Sequence, residues 1–206
     1  LSEIIPGREA AVDARQRRSR DRLHRAVLDL AGATPVAELS VTAVAEAAGV
    51  HRSTFYEHAA SPGDLLRAAL TAELDELRER YLADPEAGPE AVAEVTEAVI
   101  RHVASYAAVY RRGLAADAGP GSLVTTLAEH FLASGRLLQE RGIGLGPHVP
   151  GLAAEVTSEA AAGFVAFGTV GVIRAWLEQP EPRDPATFTA LHAALLPAWW
   201  LVTATS

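Results

Sequence analysis

The sequence predicts an all-α protein: an N-terminal three-helix unit containing a helix-turn-helix, followed by a larger helical bundle. Three observations carry this. Apolar residues recur at helical spacing along most of the 206 residues, and no stretch alternates as a half-buried strand does. The composition is 49% apolar and rich in alanine, which suits packed helices and is too apolar for a disordered chain. Residues 40–66 hold two short apolar patterns divided by a single glycine, Gly49, with a capping residue before the first and another helix start after the second.

Residues 1–14 read as a loose arm, either a disordered tail or a segment that reaches into a groove. The first helix is predicted over 15–31, where Leu23, Ala26, Val27 and Leu30 fall at i, i+3, i+4 and i+7. Arg17, Arg18, Arg20 and Arg22 crowd its start, as a solvated face or as phosphate contacts. Gly32 to Pro35 breaks it. Ser40 is placed to cap the next helix, because its hydroxyl can accept from a free N–H of the first turn. Val41, Val44, Ala45 and Ala48 give that helix one narrow apolar face, and Gly49 ends it in a left-handed turn. Val50 plugs the angle. The helix that follows is predicted over 51–58, with Val50, Thr54 and Phe55 inward. Arg52, Ser53, Tyr56 and His58 are left on or beside its outer face. Arginine offers a planar fork to a guanine edge or a phosphate, and the other three donate single hydrogen bonds that fix register on a nucleic-acid backbone.

Ser61, Pro62 and Asp64 open a fourth helix that keeps its period to about Leu82. A loop at 84–89 leads to a helix from Glu90 past His102, with Val92, Val95, Val99 and Val103 inward, and then to a short one over 106–116. A helix over 122–141 is marked by Leu127, Phe131, Leu137 and Leu138. Residues 142–151 contain four Gly and two Pro, but lack the Lys-Ser/Thr and the preceding strand of a phosphate-cradling loop. In the helix over 152–177, Ala161, Phe164, Gly168, Gly171 and Ala175 repeat at alternating three- and four-residue steps. An interior glycine costs ~1 kcal/mol against alanine, so close approach of another helix is the better explanation. Asp184 and Pro185 open the last helix, where Phe188, Leu191, Leu195, Ala198 and Val202 continue the seam. Pro197 is expected to kink it. Trp199 and Trp200 are adjacent, so one faces outward unless covered. The seam, with Trp199 at its end, fits either packing within the chain or a symmetric four-helix dimer interface.

The formal net charge is −8, which as a single number argues against nucleic acid. Its distribution does not. Residues 8–25 carry seven Arg against three acids, Glu9, Asp13 and Asp21, whereas residues 68–206 carry nine Arg against seventeen acids. A local basic patch beside the helix-turn-helix is what phosphate neutralisation needs. Without cysteine there is neither a disulfide framework nor a thiolate metal site, which fits a reducing cytoplasm. The first ten residues lack the apolar core of a signal peptide. The longest nearly uncharged apolar run, 160–173, falls short of the ~20 residues of a membrane span and reads as a buried helix. No His-Glu-x-x-His pair and no Gly-x-Ser-x-Gly elbow occurs, so no enzyme, metal or cofactor is expected. His102, Tyr106 and Tyr110 stand at successive i, i+4 steps, and His130 and Phe131 lie on the next long helix. These five either line a small-molecule pocket or are ordinary core aromatics.

The run Ser-Thr-Phe-Tyr-Glu-His at 53–58, with Ala-Val-Ala-Glu-Ala-Ala-Gly-Val at 43–50 before it and Asp-Leu-Leu at 64–66 after it, resembles the DNA-binding domain of the TetR family of transcriptional regulators. The resemblance covers roughly residues 15–70. His51 departs from it, standing where the family usually has a small cap, and Ala59 stands where it often has Phe. The resemblance implies a flexible arm over 1–14, a helix-turn-helix DNA-binding domain over 15–60 and an effector-binding and dimerisation domain over 61–206. It implies a homodimer whose two heads enter successive major grooves of a palindromic operator about 34 Å apart. Arg52 and Ser53 would touch bases, and Thr42, Tyr56 and His58 phosphates, with Arg17, Arg18, His51 and Thr54 nearby. It further implies that a small-molecule effector, binding among the helices between about 65 and 178, shifts the fourth helix. A ligand-released repressor in the cytoplasm is the leading expectation. An activator on the same fold, and an all-helical small-molecule carrier that does not bind DNA, are the alternatives.

Overall fold

In a computed structural model, residues 6–84, 88–143 and 146–201 are described. They contain α-helices and short 3-10 turns and no strand, as the periodicity predicts. The chain divides after Leu70 into two compact units, ten residues later than the boundary expected at 60. The later boundary has a plain cause. Leu65, Leu66, Ala69 and Leu70, at the start of the fourth helix, are buried and belong to the core of the first unit.

In the first unit, α1 spans Pro6–Ala33, α2 Val41–Ala47 and α3 Arg52–Tyr56. α1 begins nine residues before the predicted start, so 6–14 are helical rather than a loose arm; residues 1–5 lie outside the described residues. Nothing between Pro6 and Arg15 breaks a helix, and proline is at home in a first turn. α1 ends at Ala33, within the break expected over 32–35, and Pro35 blocks its continuation. The core gathers Leu23, Val27 and Leu28 of α1, Val44 and Ala45 of α2, and Phe55 of α3. Leu30, expected inward, is only half-buried.

Ser40 caps α2 by accepting from the Ala43 N–H at 3.1 Å. The turn after α2 is a full Schellman closure. Gly49 takes φ 62°, its N–H reaches the Glu46 carbonyl at 3.0 Å, and the Val50 N–H reaches the Ala45 carbonyl at 3.0 Å. His51 then stands in extended backbone as the N-cap of α3, without a side-chain capping bond.

α4 spans Pro62–Leu82. Ser61 accepts from the Asp64 N–H at 3.1 Å and donates to the Asp64 carboxylate at 2.6 Å. That second bond is the first cause holding the Asp64 carboxyl below its ordinary range. In the second unit α5 spans Pro89–Ser105, α6 Ala107–Gly113, α7 Val124–Glu140, α8 Ala154–Leu177 and α9 Pro185–Leu195. α8 packs along α7, and α9 lies against both α8 and α5. α8 is long and apolar enough by composition to cross a membrane, but half of that stretch is buried by its neighbours, as in a core helix. Asp184 caps α9 through the Ala186 N–H at 2.9 Å. The expected kink at Pro197 is not there. α9 stops at Leu195, because the residue before a proline is pushed out of the helical region: Leu196 has ψ 131°. A 3-10 turn over Ala198–Leu201 follows and buries Trp200, leaving Trp199 half-buried. Val202 lies outside the described residues.

A Cβ on Gly49 would meet nothing closer than the Arg22 guanidinium at 3.9 Å, so the cost of adding one is purely conformational. Gly49→Ala is therefore expected to lower the unfolding free energy by about 1–2 kcal/mol. Urea denaturation of the full chain measures this, and Gly49→Asn should lose less because asparagine tolerates that region.

Candidate functional site

α3 is presented outward. His51, Arg52 and Ser53 are exposed, Tyr56 is 54% exposed, and Thr42 is exposed in the first turn of α2. Tyr56 meets the fully buried Phe55 edge to face, with ring centroids 5.6 Å apart, so its ring is braced on one side while the residue stays exposed. Arg18 and Arg52 are exposed and have no ion-pair partner among the described residues. Arg17 pairs with Asp13 at 3.1 Å, but both are more than half exposed, and such a pair in water is readily exchanged for a phosphate.

Two members of the expected DNA-facing set stand elsewhere. His58 lies just beyond α3, half-buried, with Nε2 3.1 Å from the Ser19 hydroxyl on α1. Ser19 is buried, and its own hydrogen goes to a backbone carbonyl, Gln16 at 2.9 Å or Arg15 at 3.1 Å. The imidazole therefore donates to it and ties the end of α3 to α1, so it is not free for a phosphate. Thr54 is half-buried beside Phe55. A contact that sequence reasoning missed is Arg22, whose Nη1 reaches the Gly49 carbonyl at 3.4 Å. This arginine of the basic run holds the turn. Its position one face away from Leu23 was the available signal.

In the second unit the five expected pocket residues separate. His102, Tyr106 and the buried Tyr110 form a partly buried polar cluster with Glu73 of α4. Glu73 lies 3.2 Å from His102 Nδ1 and accepts from the Tyr106 hydroxyl at 3.2 Å. Tyr110 lies 2.8 Å from His102 Nε2. The network fixes the proton order: Tyr110 donates to Nε2, and Nδ1–H donates to the carboxylate. Burial, and then the Glu73 charge, push the Tyr110 phenol above its ordinary range. None of these three lines the cavity; they are core ties between α4, α5 and α6.

His130 and Phe131 do line it. The cavity holds about 360 Å³ between α5, α7, α8 and α9, and its walls include Val99, Leu138, Phe188, His192 and Trp200. Arg78 of α4 lies 3.4 Å from His130 Nδ1 and is itself held by Asp75 at 2.8 Å. Burial first, and Arg78 second, push His130 down to about 4, against a smaller opposite pull from Asp75. His192, stacked on Phe188, bonds Thr169 at 2.9 Å, and burial lowers it too. Sequence reasoning missed His192 and Thr169, because cavity walls and core share one apolar spacing.

The predicted interface residues also divide. Ala161 and Phe188 are buried inside the unit, Phe188 against Trp176, so they cannot meet a partner. Trp199 is half-buried. The rest lie open. Phe164 is 64% exposed, Gly168, Gly171 and Ala175 are exposed along the same side of α8, and Leu191 and Leu195 are exposed on α9. A Cβ on Gly168 or Gly171 would meet nothing within 4 Å, so packing within the unit does not explain these glycines.

No family model and no curated protein matches the sequence. Solved structures do match. FadR of Thermus thermophilus, a TetR-family transcriptional repressor solved with lauroyl-CoA, aligns at TM-score 0.59 and 20% identity over 90% of this chain and 97% of its own. The fatty acid degradation regulator FadR of Bacillus halodurans aligns at 0.59 and 17%, over 86% and 98%. The dihydroxyacetone kinase operon activator DhaS aligns at 0.58 and 13%, over 86% and 96%. The chain has the TetR-family fold.

The neutral, buried His130 gives stability a pH dependence of known sign. An unfolded histidine titrates near 6.5, above the folded value of about 4. The unfolded chain therefore binds the proton first. Stability is full above that range and is expected to fall as pH drops from about 6.5 toward 4, by up to about 3 kcal/mol from this residue. Comparing denaturation of wild type and His130→Phe over pH 4–8 isolates it: the variant should show the shallower loss.

Proposed function

We propose that the chain is a ligand-responsive transcriptional repressor that binds a palindromic operator as a homodimer and is released by a small molecule. The observation that carries the reading is the presentation of α3: an unpaired, exposed Arg52 with Ser53 beside it, on a short helix braced from behind. In this reading Arg52 and Ser53 meet base edges in the major groove. Thr42, Tyr56, Arg17 and Arg18 meet phosphates. The basic gathering of residues 8–25 supports it, since DNA affinity rests on phosphate neutralisation.

The open face of α8 and α9 supports the homodimer. Contiguous exposed apolar surface on a chain of this size marks an interaction site. Glycines that nothing in their own chain approaches suit a second helix laid close, and a twofold pair of α8 and α9 would complete a four-helix interface. The cavity supports the effector, and lauroyl-CoA in the Thermus structure is a precedent for an apolar chain in this fold. In the same reading, occupancy acts through His130 on Asp75 and Arg78 of α4, the helix that begins at Pro62 beside the reading motif. An activator is the second reading, favoured by DhaS alone; a promoter fusion decides it by the sign of the change on deletion.

Three variants test the proposal on an operator fragment recovered by selection from random duplex. Arg52→Ala should weaken binding by about 1–3 kcal/mol with relaxed preference at one base pair. Tyr56→Phe should weaken it across all sequences. Phe164→Arg, on a side chain already in solvent, should leave the helical content intact and convert a species of twice 21.7 kDa to the single chain. If affinity barely responds to salt and neither head variant changes it, the carrier reading replaces this one.

A further inference from the structure

One wall of the cavity carries a proton whose position the geometry fixes. Arg78 Nη1 lies 3.4 Å from His130 Nδ1, and a guanidinium only donates, so Nδ1 is the accepting nitrogen. Asp75 Oδ1 is 3.8 Å from the same nitrogen, too far to bond it, and is engaged by Arg78. The neutral ring then keeps its hydrogen on Nε2, which has no protein partner among the described residues, in a side chain that lines the cavity. A second proton would sit on Nδ1, facing the guanidinium in a buried place. The downward shift of His130 points the same way.

The rest of the wall offers no charge. Among the described lining residues there is no Arg, Asp or Glu, and the chain has no lysine. Arg141, close by in sequence to Leu138, turns to the Leu82 carbonyl with Nη2, and its Nη1 is buried away from any open space. The hydroxyl donors of the wall are already committed. Thr96 donates to the Val92 carbonyl at 2.7 Å, Ser134 to that of His130 at 2.9 Å, Thr169 to that of Val165 at 2.8 Å and Thr189 to that of Pro185 at 3.2 Å. His192 Nε2–H donates into the Thr169 oxygen, since that hydroxyl has given its hydrogen away. What remains is an apolar space of about 360 Å³, at the small end of the ~300–1,000 Å³ usual for ligand sites, whose wall carries two N–H donors without a protein partner among the described residues, those of His130 and of the Trp200 indole.

We infer that this cavity takes an uncharged, hydrocarbon-rich molecule bearing a carbonyl or ether oxygen, which accepts from His130 Nε2–H. The inference rests on the effector reading above and narrows it. A carboxylate or phosphate brought in would lose its hydration with no cation to replace it. A neutral acceptor gives up far less, and it gives a partner to an N–H on the cavity wall that has none in the protein among the described residues.

Three probes sharing a ten-carbon chain separate the possibilities: methyl decanoate, decanoate and decane, titrated at pH 8 against the full chain. Tryptophan fluorescence, to which the wall residue Trp200 contributes, and the thermal midpoint are the readouts. Methyl decanoate should bind at least tenfold tighter than decanoate and tighter than decane. His130→Phe should remove the advantage of the ester over decane while the helical circular dichroism is kept. Val165→Trp, which fills the space, should abolish binding of all three. Decanoate binding as well as the ester would overturn the inference and leave the effector reading standing, as would an ester advantage that survives in His130→Phe. No binding by any probe would overturn both.

Discussion

A helix of five residues does not hold itself together in water, and α3 is five residues long. Everything proposed for the head depends on other parts of the chain supplying its order. Three anchors do so. The Schellman turn at Gly49 sets where α3 starts, and Arg22 grips the carbonyl of that turn. Phe55 enters the core with none of its surface left in water. His58 closes the far end onto Ser19 of α1. Phe55 and the His58–Ser19 contact lie on the inner side and the Gly49 turn at the surface, so the side chains left outward, His51, Arg52, Ser53 and Tyr56, are presented on a frame held at both ends. Reading a groove by bidentate hydrogen bonds requires that kind of preorganisation.

The second unit places its polar groups by a similar logic. α4 contributes two separate sets of charged groups to it. Glu73 is absorbed by His102, Tyr106 and Tyr110, a network in which the protons can be ordered throughout. Asp75 and Arg78 end on His130, which is shared between α4 and the cavity wall. The first set is a fixed tie. The second has a nitrogen still available, so in the proposed function it is the cavity, rather than the aromatic cluster, through which a small molecule acts on α4.

How much of this the sequence disclosed varies by residue, for physical reasons. Caps and turns were legible because they are local: Ser40, Gly49, Ser61 and Asp184 perform the roles their neighbours imply. Pro197 was legible as a disruption, but whether it kinks or stops α9 turns on ψ at Leu196, which composition does not reveal. His102, Tyr106 and Tyr110 share a helical face, yet a shared face does not say whether it meets a cavity or a carboxylate from another helix. Ala161 and Phe188 share a spacing, and nearly a helix side, with Gly168 and Leu195 but are buried, because spacing does not record where along its length a helix face is covered by its neighbours. His58 has the sequence position of a surface donor, but its partner Ser19 stands 39 residues away, beyond the reach of local pattern.

The open side of α8 and α9 is the second half of the reading, for a single head cannot explain a face of phenylalanine, leucine and bare glycine turned to water. Head and face together claim that two α3 helices lie in major grooves on one side of a duplex. Dimethyl sulfate protection of guanine N7, which lies in the major groove, tests that claim on a selected operator duplex containing guanines in both half-sites. Two protected clusters about one helical turn apart, 10–10.5 base pairs, related by a dyad, are the expected result. A single cluster, or protection spread evenly along the duplex, would contradict it.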